Sequence, residues 1–135
     1  LIGDGDVAGV IDTTNPATSV DLYIGSGGAP EGVLAAAALR CLGGQIQGRL
    51  TFRNDDERAR AAKWGIEDLD RKYSTEDMAS GDVIFAASGV TDGYLLRGVH
   101  LTPDGSGYET ESVVMRSKTG TIRWVKGQHK RNSND

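Results

Sequence analysis

A single cysteine occurs in the chain, which excludes an internal disulfide framework and a multi-cysteine zinc site and suits a reducing compartment. No apolar run approaches the roughly 20 residues of a membrane-spanning helix, and no basic-then-apolar leader opens the sequence. A soluble, cytoplasmic chain is therefore expected. Positive charge is in deficit: 15 Lys and Arg stand against 19 Asp and Glu, a net charge of −4. That sign argues against a general nucleic-acid binder. An anionic ligand would need local help from a helix N-terminus, a few placed cationic side chains or a metal ion. Proline is scarce, with 3 residues against 19 glycines, so the glycines punctuate turns and do not belong to a proline-rich linker or a collagen repeat.

What remains is 135 residues that are 38% hydrophobic, enough for one domain with a closed core. The first residue is Leu1, not Met, and the pair Leu1-Ile2 runs straight into Gly3-Asp4-Gly5-Asp6. This reads as the end of a strand whose start is missing, and the expectation is a segment of a longer protein, with a processed N-terminus as the alternative that would look the same.

Asp4 or Asp6 can cap a short helix through about Ile11, which Asn15-Pro16 then breaks. Residues 19–24 alternate polar with apolar and read as a strand. The glycine-rich loop from Gly25 to Gly32 opens a helix, with Pro30 in the first turn beside Glu31. Val33 to Leu42 continues it, and Gly43-Gly44 stops it. Gln45 to Arg53 alternates around Ile46, Leu50 and Phe52 as a second strand. Asn54-Asp55-Asp56 caps a charged helix reaching Trp64. A short extended piece near Lys72-Tyr73 precedes Ser74-Thr75-Glu76-Asp77, a capping-box pattern. The apolar run Val83 to Ala87 predicts a strand covered on both faces. Tyr94 to Leu101, Glu109 to Arg116 and Thr121 to Lys126 then read as hairpin strands, and the tail from Gln128 as frayed. The class is α/β with a mixed sheet, parallel in its first part and with antiparallel hairpins at its C-terminal end.

The strongest site signal is the strand, glycine loop and helix over residues 20–42. Backbone N–H groups at a helix start favour anions, and glycine lets a phosphate approach the backbone; the same glycines also suit a plain tight turn. The dinucleotide fingerprint fails because Pro30 stands where its third glycine belongs, counting from Gly25 and Gly27, and no Lys follows to make a P-loop. Glu31 places a carboxylate where an anion would otherwise bind. Either it complements the helix dipole, or a divalent cation bridges it to a phosphate. Asp4-Gly5-Asp6 is equally double: two carboxylates that cap a helix, accept hydrogen bonds from sugar hydroxyls, or hold a hard metal. Ser26 and Ser88 lack a nucleophile-elbow frame. Cys41 falls late in an Ala/Leu helix and reads as a buried apolar residue. His100 and His129 read as ordinary strand and tail residues, and Lys126, Lys130 and Arg131 as a solvated basic end.

Taken together, Asp4-Gly5-Asp6-Val7-Ala8, Gly27-Gly28-Ala29-Pro30-Glu31-Gly32-Val33 and Gln47-Gly48-Arg49-Leu50 resemble the C-terminal half of class II fructose-1,6-bisphosphatase. Glu76-Asp77-Met78-Ala79, Val83-Ile84-Phe85, Ser88-Gly89-Val90-Thr91 and the stretch from Ser117 to Arg123 fit the same family in the same order. The resemblance implies the lithium-sensitive, metal-dependent sugar and inositol phosphatase superfamily, whose architecture is a layered α/β sandwich. It further implies hydrolysis of the 1-phosphate of fructose 1,6-bisphosphate in gluconeogenesis, with Mn²⁺ or Mg²⁺ as cofactor and a homo-oligomeric assembly. Glu31 would be a metal ligand, and Asp4, Gly5, Asp6 and Gly28 would contact the sugar phosphate. The family's Asp-Pro-x-Glu-Gly-Thr metal motif, its earlier acidic ligands and a basic Lys-x-Arg pair belong to the other half and do not occur here. One carboxylate cannot hold a hard divalent ion tightly, so the segment alone is expected to be inactive. A small stand-alone α/β module that binds an anion or sugar phosphate is the alternative.

Overall fold

The computed structural model describes residues 6–131. A first helix, α1 (Asp6–Asp12), ends before Asn15-Pro16. The second, α2 (Ala29–Leu42), starts from an extended Gly28 with Pro30 and Glu31 in its first turn. It stops at Gly43, whose φ of 80° lies in the left-handed region that glycine enters without steric cost. Its N–H bonds back to the Leu39 carbonyl. Strand β1 (Gln47–Arg49) leads to α3 (Asp55–Lys63), where the Asn54 side chain accepts the Glu57 N–H at 2.9 Å. Strand β2 (Lys72–Ser74) runs into the single turn α4 (Thr75–Met78), which carries the capping box in full: Ser74 Oγ accepts the Asp77 N–H, and the Asp77 carboxylate accepts the Ser74 N–H.

The remaining strands are β3 (Ile84–Ser88), β4 (His100–Leu101), β5 (Gly107–Arg116) and β6 (Thr121–Lys130). β5 is the spine of this four-stranded sheet. β3 and β4 pair with successive parts of one edge, and β6 pairs along the whole of the other. β1 and β2 form a separate ladder. One face of the larger sheet carries the helix layer, with Ile11 of α1 and Ala38 and Cys41 of α2 packed on Phe85, Val113 and Met115. A second cluster, Val10 with Ala35 and Leu39, locks α1 to α2.

The α/β class and the C-terminal antiparallel hairpins are as the sequence predicts. The parallel part is a correction: every pairing among the described residues is antiparallel. Residues 19–24 form no strand, and Leu22 and Ile24 are exposed. Alternation fixes only which side chains share a face. A strand also needs a neighbouring strand to ladder with its N–H and C=O groups, and among the described residues no strand pairs with this stretch. β3 is covered on one face only, since Phe85 is buried while Ile84 is exposed. The expected strand over Gln45 to Arg53 contracts to β1, and that over Tyr94 to Leu101 to β4. β6 continues to Lys130, because β5 is long enough to pair with the predicted tail. The strand end expected at Leu1-Ile2 lies outside the described residues.

The turn between β4 and β5 is built on Asp104. Its carboxylate accepts Thr102 Oγ1 at 2.7 Å, the Ser106 N–H at 3.0 Å and Ser106 Oγ at 2.8 Å. These hydrogen bonds, led by that from Thr102, lower its pKa to about 2. A folded-state value below the ordinary ~3.9 means that the contribution is complete above about pH 4 and lost as pH falls toward 2. The Asp104 carboxyl carbon followed by NMR is expected to titrate near pH 2 in the folded protein. A midpoint at the ordinary carboxylate value would show that the turn is not held in this way.

Candidate functional site

The geometry begins at the start of α2. Gly28 has φ −66° and ψ 154° and offers no side-chain cap, so the first N–H groups of α2 carry the helix's positive end without a local acceptor at that position. The Glu31 carboxylate folds back over Gly28. A Cβ added at Gly28 would fall against Glu31 Oε2 and lie 3.2 Å from Glu31 Cδ. Any side chain at residue 28 would therefore displace the carboxylate. Glycine at this position makes room for an acidic oxygen beside the helix start, and Glu31 is exposed to solvent there.

The direction of α1 follows from its contacts. Val10 packs on Ala35 and Leu39, and a Cβ on Gly44, just past the end of α2, would lie 2.6 Å from the Thr14 methyl, just past the end of α1. The two helices thus finish together. α1 therefore runs parallel to α2, and at a rise of about 1.5 Å per residue its 7 residues begin about 10 Å short of the start of the 14-residue α2. Asp4 and Gly5 lie outside the described residues, as does the side chain of Asp6. Of the site residues singled out from sequence, the described residues show Gly28 and Glu31 together at the N-terminus of α2.

A hard divalent cation is compatible with this donor set as far as it goes, since a solvent-facing carboxylate oxygen is the donor such ions take. Among the described residues no three His, Cys, Asp or Glu side chains gather as a ligand cluster. Glu31 can supply one ligand and not a cage.

Cys41, Asp92 and His100 have structural partners. Cys41 is buried, its Sγ 3.8 Å from the Val83 carbonyl oxygen, and burial pushes its thiol pKa up, which disfavours the reactive thiolate. Sequence reading missed the partnership of His100 with Asp92. His100 Nε2 lies 2.7 Å from Asp92 Oδ1, which also accepts the Gly98 N–H at 2.9 Å, and these bonds hold the Asp92 carboxyl below its usual range. No periodicity links positions joined by a loop, so only the fold reveals the pair. A groove of about 240 Å³ runs nearby between Arg97, His100, Glu109, Glu111 and Lys126. Its cations are matched, Arg97 with Glu109 at 3.7 Å and Lys126 with Glu111 at 3.4 Å, so it offers a phosphate no uncompensated positive charge. Lys126 is 83% exposed, as the solvated end expected from the sequence requires, and pairs with Glu111 from that position.

Comparison with known proteins supplies the context. The family described as bacterial fructose-1,6-bisphosphatase, glpX-encoded, matches residues 1–129. The relative named D-fructose 1,6-bisphosphatase class 2/sedoheptulose 1,7-bisphosphatase from Trichodesmium erythraeum (strain IMS101) is 40% identical over 142 aligned positions, which cover 96% of this chain and 41% of the relative. One of the same name from Synechococcus sp. (strain JA-3-3Ab) is also 40% identical, over 96% of this chain and 40% of its own. The chain therefore spans about two fifths of the length of the curated relatives it matches. Among the described residues no helix is long and apolar enough to cross a membrane.

Proposed function

The chain belongs to the bacterial fructose-1,6-bisphosphatase family, and from that premise we propose that it acts as the C-terminal domain, residues 1–135, of a cytoplasmic, homo-oligomeric sugar-bisphosphate phosphatase. Its substrate is fructose 1,6-bisphosphate, hydrolysed at the 1-phosphate with Mn²⁺ or Mg²⁺ bound. Glu31 serves as a metal ligand, and Asp4, Gly5, Asp6 and Gly28 contact the sugar phosphate. The observation that carries this reading is the Glu31 carboxylate lying against Gly28 at the start of α2.

The chain's own residues then have distinct tasks. N–H groups at the start of α2 attract phosphate oxygens, and Gly28 lets them come close. Asp4 and Asp6 accept hydrogen bonds from sugar hydroxyls; as carboxylates they are acceptors only, which fixes the orientation of the donor. A divalent cation, when bound, supplies Lewis-acid stabilisation of charge on the phosphoryl group. Glu31 would otherwise repel that group, so its carboxylate makes phosphate binding conditional on a cation.

The isolated chain is expected to release no phosphate from fructose 1,6-bisphosphate with Mn²⁺ or Mg²⁺. Fusing the unmatched portion of the Trichodesmium erythraeum relative ahead of Leu1 is expected to restore turnover. Robust turnover by the isolated chain would overturn the division of labour. Thermal stabilisation of the isolated chain by a sugar phosphate without metal would favour a stand-alone binding module instead.

A further inference from the structure

The helix layer stops short of one edge of the sheet. α2 packs on β3 and β5, and the β5 residues beneath the layer, Val113 and Met115, are 0% and 1% exposed. Their direct partners on β6 are Trp124 and Ile122. Opposite residues of an antiparallel pair point to the same face, so these two side chains continue the core sideways. They are nevertheless 56% and 41% exposed. The core therefore runs out from under its cover between neighbouring strands, about 4.8 Å apart.

α2 shows the same incompleteness. Ala35, Ala36 and Leu39 are buried, while Val33 and Leu34 on the same helix are 45% and 51% exposed. A helix apolar on more than one side belongs inside a larger body.

We propose that the Ile122–Trp124 strip of β6 is the docking surface for the part of the family enzyme that this chain does not span, and that an apolar element of that part covers it beside the helix layer. The inference rests on the reading of the chain as one domain of a longer phosphatase. The matched relatives carry about three fifths of their length beyond the segment matched here, so a large covering body exists in the family. A second copy of this chain is a poor occupant. β6 has no Asp or Glu, and on the face of Ile122 and Trp124 it carries Lys126 and Lys130, so a two-fold contact of β6 on β6 through that face would bring lysines together.

Trp124 is its own reporter. The difference in emission between the Trp124 chain and its Trp124→Phe variant isolates this indole from Trp64, and the same subtraction applies to the fusion described above. Acrylamide quenching of Trp124 is expected to fall at least threefold from the isolated chain to the fusion, with emission moving to shorter wavelength. Equal quenching in both contexts would overturn the proposal, as would protection that appears in the isolated chain on raising its concentration, which would assign the strip to a second copy. If the fusion does not fold, adding the unmatched portion as a separate polypeptide gives the same readout, and unchanged quenching there overturns the proposal. An active fusion with Trp124 still exposed would sink this inference and leave the phosphatase reading intact. An inactive fusion with Trp124 protected would do the reverse.

Discussion

Glu31→Gln in the fusion enzyme is expected to lower kcat/KM about a hundredfold, equivalent to ~2.7 kcal/mol of transition-state stabilisation, and to raise the Mn²⁺ concentration needed for half-maximal activity. The change keeps the size of the side chain and removes its charge, so an anionic oxygen donor becomes a neutral one. Magnitude separates the two roles open to this residue. A carboxylate in the first turn of α2 that only complements the helix dipole contributes about 0.3–1 kcal/mol to stability and nothing to the chemistry. The dipole role therefore predicts a small fall in melting temperature with kinetics unchanged. The ligand role predicts a large kinetic loss, a weaker metal response and little change in melting temperature. Wild-type activity and wild-type metal dependence in the variant would reduce Glu31 to a helix-dipole residue.

Leu39→Ala is expected to destabilise the isolated chain by about 3 kcal/mol, within the range of roughly 2.7–5 kcal/mol seen when a buried leucine is truncated. Leu39 is 1% exposed and joins Val10 and Ala35, with Tyr23 and Ile46 packed around them. Backbone hydrogen bonds already fix the surrounding helix, so the site can collapse only partly and a cavity remains. Set against a total stability of about 5–15 kcal/mol for an ordinary domain, this loss is large, and urea denaturation will register it as a lower midpoint with unchanged slope. Val33→Ala on the same helix is the control: Val33 is 45% exposed, and its truncation should cost less than about 1 kcal/mol. Similar losses at both positions would mean that α1 and α2 do not pack as described. Because Leu39 also joins α2 to α1, the same variant of the fusion should lose activity near its melting transition, whereas Glu31→Gln loses it at all temperatures.

The sequence by itself determined the features whose causes are local. Gly28, Pro30 and Glu31 at one end and Gly43 at the other specify α2, because capping and backbone conformation are settled within a few residues. The Ser74–Asp77 capping box, the Asn54 cap and the β5–β6 hairpin are equally local, and all three were legible. So was the ambiguity of Glu31, which spacing alone cannot resolve. Tertiary structure decided whatever needed a neighbour. Residues 19–24 have the alternation of a strand and none of its pairing; β3 has the apolar run of a doubly covered strand and cover on one face. Asp92 meets His100 only because the loop between them closes, and α1 lies along the C-terminal half of α2 only because Val10 packs on Leu39. Periodicity reports which side chains share a face, but the partner that buries the face is set by chain elsewhere, and Ile122 and Trp124 are exposed because among the described residues nothing supplies one.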